Sequence, residues 1–100
     1  MSEHGLIVAL QQCRDLLRRV GEDFWADKLT EALPSYTLEL SVRDIREILS
    51  WFGGMGSLSD LVVSSKNGHN VNPDDEKRCN SELGHLRDII YEESKKLLEY

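Results

Sequence analysis

Apolar residues recur along the first fifth of the chain at Leu6, Leu10, Cys13, Leu17 and Val20, at steps of four, three, four and three. That rhythm puts them on one face of a helix, and the spacing predicts helix one over 6–20. Ile7, Ala9 and Leu16 widen the stripe, while Gln11, Arg14, Arg18 and Arg19 fall outside it or at its edges. Gly21 suits the left-handed residue that closes a helix, and Arg18 and Arg19 suit its negative end. Glu22 and Asp23 then favour a new positive end. Phe24, Trp25, Leu29, Ala32 and Leu33 keep helical spacing until Pro34, which cannot continue a helix. The irregular stretch 34–40 offers Tyr36, Leu38 and Leu40 to the core. Ser41 with Asp44 three residues on makes a capping pair. Val42, Ile45, Ile48, Leu49 and Phe52 give helix three an apolar face that ends at Gly53-Gly54.

Residues 57–65 read two ways: Ser57 and Asp60 cap a short helix through Leu58, Leu61 and Val62, or the two valines favour a brief extended segment. A polar connection follows, with a turn at Asn67-Gly68. Asn72-Pro73-Asp74-Asp75 has the composition of a helix start: a capping side chain, proline in the first turn, and carboxylates on the positive end of the dipole. From there Cys79, Leu83, Leu86, Ile90 and Leu97 recur at helical intervals, which carries helix four to residue 97 or 98. Glu92 and Lys96 stand in the favourable four-residue order on its surface. The pattern predicts an all-α protein, a single domain over 1–100. It is a bundle of four main helices with a glycine-rich loop and a long polar connection before the last.

Composition changes this picture in three ways. With 40% apolar and 30% charged residues among 100, the chain has the balance of a globular domain. Its net charge of −6 argues against nucleic acid, which demands clustered lysine and arginine. The charge is uneven, −4 over 22–40 and −3 over 73–100, so a basic partner would be steered toward the molecule. No apolar run nears the roughly 20 residues of a membrane span. The start Met1-Ser2-Glu3-His4 lacks the features of a signal peptide. Cys13 and Cys79 are too few for a disulfide framework, so a cytoplasmic protein with reduced thiols is expected.

Recognisable chemistry is scarce. Gly53-Gly54-Met55-Gly56-Ser57 follows a helix and lacks the lysine of a phosphate-binding loop, so a turn with positive φ at Gly53 or Gly54 is the expectation. His69, Cys79 and His85 do not have the paired spacing of a zinc site. Glu82-Leu83-Gly84-His85 supplies one copy of an element that helical di-iron sites use twice. No nucleophile, base and acid fall into a motif, so neither catalysis nor a cofactor is expected. A small helical enzyme or ligand-binding protein using the 53–60 loop and nearby acids is the alternative. Trp25, Trp51 and Phe52 are expected in the core, with Trp51 and Phe52 pointing about 100° apart.

The run Gly53-Gly54-Met55-Gly56-Ser57-Leu58-Ser59-Asp60-Leu61 resembles a family of small bacterial helical proteins with a Gly-Gly-Met-Gly-Ser-x-x-Asp-Leu core. Gly21, Glu22, Trp25 and Ala26 resemble that family's Gly-Glu-x-x-Trp-Ala element, so the likeness covers roughly 10–63. Some small acidic helical proteins of this kind look like immunity proteins. The resemblance implies a non-catalytic protein that binds a cognate toxin and occludes its active site. Contact residues are then expected at the polar connection and its ends: Asp60, Asn67, His69, Asp74 and Asp75.

Overall fold

A computed structural model of the chain describes residues 4–33, 40–53 and 56–99. The fold is all-α. Among the described residues there are four α-helices: α1 (His4–Arg19), α2 (Asp23–Ala32), α3 (Val42–Leu49) and α4 (Glu76–Leu98). Single 3-10 turns at Leu58–Asp60, Ser65–Asn67 and Pro73–Asp75 punctuate the connection between α3 and α4. α1 packs against both α2 and α4, and α3 packs against α4. The Cα radius of gyration is 13.5 Å, close to the roughly 13 Å of a compact domain this long.

The apolar stripe of α1 is the middle of the core: Leu6, Leu10, Cys13, Leu16, Leu17 and Val20 are all essentially inaccessible. Leu29, Ile48, Leu83 and Ile90 meet it from the other three helices. The end of α1 shows how local chemistry sets direction. Gly21, at φ 81°, donates its N–H to Arg18 O, and Glu22 donates to Leu17 O at 2.8 Å. This paired closure satisfies carbonyls the helix leaves open and turns the chain directly into α2. At α3, Ser41 Oγ accepts from Asp44 N–H while the Asp44 carboxylate accepts from Ser41 N–H, both at 3.1 Å, completing the expected capping pair.

Three boundaries differ from the expectations above. α3 stops at Leu49 rather than at Phe52, because two of the next three N–H groups tighten to three-residue bonds, Trp51 reaching Ile48 O and Phe52 reaching Leu49 O. That twist sends Trp51 into the core, edge-on to Trp25 with ring centroids 5.9 Å apart, and leaves Phe52 half-buried against Tyr91. The start of α4 is a 3-10 turn over Pro73–Asp75, with the α-helix beginning at Glu76, and Asn72 makes no side-chain capping bond. Residues 57–65 combine both readings: one 3-10 turn at Leu58–Asp60, then an extended run through Ser64. Gly53 has φ 112° as expected, but four residues beyond the last helical residue rather than at the helix end. Tyr36, Leu38, Gly54 and Met55 lie outside the described residues.

Candidate functional site

The connection between α3 and α4 is polar in composition yet tied down at several of its described residues. Its first anchor is Leu58, fully buried, whose N–H donates to Trp51 O at 2.8 Å. Around that anchor the glycine-rich turn closes on side chains: Gly53 N–H donates to Ser59 Oγ at 3.1 Å, and Gly56 N–H to Asp60 Oδ2 at 3.3 Å. Arg87 on α4 then donates from one guanidinium nitrogen to Leu58 O, Ser59 O and Leu61 O at 2.9 to 3.3 Å. A single cation thereby satisfies the carbonyls at the end of the 3-10 turn.

The second anchor is Val63, also fully buried. Asn80 on α4 treats it as a neighbouring strand would. Its Oδ1 accepts from Val63 N–H at 2.8 Å and its Nδ2 donates to Val63 O at 2.9 Å. One residue on, Ser64 N–H donates to His69 Nδ1 at 3.0 Å. An acceptor at Nδ1 places the ring hydrogen on Nε2, which donates to Glu22 Oε1 at 2.9 Å. The imidazole is 7% exposed, so this clip fastens the connection to the start of α2 inside the protein. Asn70 N–H adds a bond to Val20 O at 2.8 Å. Finally, Ser65 donates both its N–H and its hydroxyl to Glu76 Oε1, at 2.7 and 2.9 Å. These bonds stabilise the ionised form and hold the Glu76 carboxyl below its usual range, the backbone N–H contributing most.

These ties leave a cleft of about 370 Å³ between the start of α2 and the loop, lined by Glu22, Trp25, Gly56, Ser57, Asp60, Leu61, Val62, Asn67 and His69. Val62 in its wall and Phe24, the chain neighbour of its Trp25, are both exposed. Val62 is 56% exposed, and Phe24, whose ring meets Trp25 edge-on at 5.5 Å, is 63% exposed. Of the five residues expected to face a partner, Asp60, Asn67 and His69 come together in this cleft. Asp60 and Asn67 are exposed, whereas His69 has both ring nitrogens engaged within the fold. Asp74 and Asp75 lie apart from it in the turn before α4. Asp75 pairs with Arg78 at 2.9 Å and lines a neighbouring depression with Arg19 and Glu82.

Sequence reasoning passed over Phe24, Val62, Asn80 and Arg87 as site residues. Phe24 carried a signal, since a phenylalanine beside a core tryptophan cannot share its helix face. Arg87 and Asn80 carried none, because their partners lie 17 to 29 residues away. Among the described residues no group of three or more His, Cys, Asp or Glu side chains is placed to hold a metal ion. Burial, only partly offset by the Arg87 charge, pushes the Cys13 thiol up to about 12, and a protonated buried thiol is no nucleophile. Among the described residues no helix is long and apolar enough to cross a membrane.

A family model described as a domain of unknown function, DUF6966, matches residues 18–72. The match takes in every residue that lines the cleft and stops short of α4. No curated protein and no solved structure matches the chain.

Proposed function

We propose that this chain, which belongs to the DUF6966 family, is a non-catalytic, immunity-type protein that binds and neutralises a bacterial toxin in the cytoplasm. The cleft face, with Val62 in its wall and exposed Phe24 beside Trp25 on α2, is the binding surface. The observation that carries this reading is the pairing of large exposed apolar side chains with a loop held rigid by internal hydrogen bonds. A surface that is already ordered loses little freedom on binding, and exposed aromatic and aliphatic groups around a cleft supply the buried area. The chain exposes 6361 Å², and a standard interface takes about 800 Å² from each partner, so this face and its surroundings are sufficient. Occluding a toxin's active site requires no chemistry from the inhibitor. His69 supports the reading further, since its two nitrogens serve the fold and leave none for proton transfer.

The test is genetic. The open reading frame beside this one, expressed alone, is expected to arrest growth, and co-expression of this chain is expected to restore it. A neighbour that is harmless, or toxic but not relieved by this chain, overturns the reading.

A further inference from the structure

The cleft has a sign as well as a shape. Two carboxylates, Glu22 and Asp60, line it, and neither lysine nor arginine does. In each carboxylate one oxygen is taken by the fold, Glu22 Oε1 by His69 and Asp60 Oδ2 by Gly56. A carboxylate has a second oxygen to offer. Two cations of the adjoining helices are engaged elsewhere: Arg18 pairs with Asp23 at 3.3 Å and with Asp27 at 2.9 Å, and Lys28 sits over the Phe24 ring at 5.5 Å. The lining also includes apolar side chains, Leu61, Val62 and Trp25. At about 370 Å³ the volume is at the low end for small-molecule sites, which run from about 300 to 1,000 Å³.

A long side chain with an apolar stem and a planar cationic head matches such a lining. We propose that the cleft between the start of α2 and the 56–69 loop receives an arginine side chain of the protein partner. Its stem lies along Val62 and Leu61, and its guanidinium is shared between Asp60 and Glu22. The inference rests on the reading that this face binds a protein. Arginine is favoured over lysine because its fork can donate to two carboxylates at once, whereas an ammonium acts as a point charge.

Titration of the ¹⁵N-labelled full chain with N-acetyl-arginine methylamide tests it, with the lysine and citrulline analogues as controls. The expected result is saturable shifts at the amides of Gly56, Asp60, Val62 and Asn67 and at the Trp25 indole. They should be smaller with lysine and absent with citrulline, which keeps the shape and loses the charge. Asp60→Asn keeps an acceptor for Gly56 and should abolish the response, as should Glu22→Gln, which keeps one for His69. No saturable shift by about 10 mM, or equal shifts from citrulline, overturns the proposal. Co-expression separates the two readings. If the wild type rescues growth and Asp60→Lys rescues equally well, the arginine site is wrong and toxin neutralisation stands. If the wild type fails to rescue, toxin neutralisation is wrong and the titration judges the cleft by itself.

Discussion

Gly53 and Asn80 illustrate two different ways in which one residue holds the 53–70 loop. Gly53 sits at φ 112°, and a Cβ built there meets nothing within 4 Å, so the cost of replacing it is conformational strain and not a clash. Gly53→Ala is expected to destabilise by about 1 kcal/mol, measured as a shift in the denaturant midpoint. An unchanged midpoint would contradict the assigned backbone conformation. Asn80 acts by hydrogen bonding, and Asn80→Ala strands both polar groups of buried Val63. Its expected cost is about 1 to 3 kcal/mol, because each unmet buried group loses its water without a replacement. Cys13 is the converse, a group whose burial silences it. The folded state keeps its proton up to about 12, so the thiol should resist alkylation in the native protein and react once unfolded. By the same linkage, the unfolded chain releases that proton above the ordinary value of 9.0 while the folded chain does not. Cys13 thus costs the fold stability as pH rises from there toward about 12. Alkylation of the native thiol at neutral pH would contradict this.

At the scale of elements, α1 and its junction with α2 were plain in the sequence, because the stripe, the closing glycine and the following acids all pointed one way. The end of α3 was not. Phe52 continues its spacing, but the chain leaves α-geometry after Leu49, three residues earlier, and turns Trp51 onto Trp25, a pairing that is a tertiary fact. The turn at Pro73–Asp75 was legible as a helix start, yet its 3-10 form and the idle Asn72 side chain were not. In the candidate site, Asp60 and Asn67 could be picked out as polar loop residues. Their meeting with Glu22 and Trp25 depends on Arg87, Asn80 and the His69 clip, long-range partners that no local pattern encodes. The tie between Glu76 and Ser65 also belongs to this scale and sets a pH dependence. Its carboxyl is lowered in the folded state, so the stability it contributes is present above the usual carboxylate range and lost as pH falls through the lowered value. The gap in melting temperature between wild type and Glu76→Gln should be open at neutral pH and close in acid. A gap that persists at low pH would show that charge is not what Glu76 contributes.

For the whole molecule, the helices supply a frame and the connection between α3 and α4 supplies a face. The core accounts for the frame: α1 lies among the other helices and buries its stripe completely. The face combines exposed Val62, Asp60 and Asn67 in a cleft whose residues all fall within the family match, with exposed Phe24 beside its Trp25. The turn carrying Asp74 and Asp75 is a separate acidic edge, suited to steering a basic partner and weakened by salt. On the proposed reading the two surfaces make different contributions, one to how long a complex lasts and the other to how fast it forms. Calorimetric titration of the proposed toxin against wild type, the Phe24→Ala/Val62→Ala double variant and the Asp74→Lys/Asp75→Lys double variant distinguishes them. The account predicts that the apolar pair costs at least about 2 kcal/mol of binding, and that the charge pair costs less at physiological salt. Full-affinity binding by the Phe24→Ala/Val62→Ala protein would contradict it.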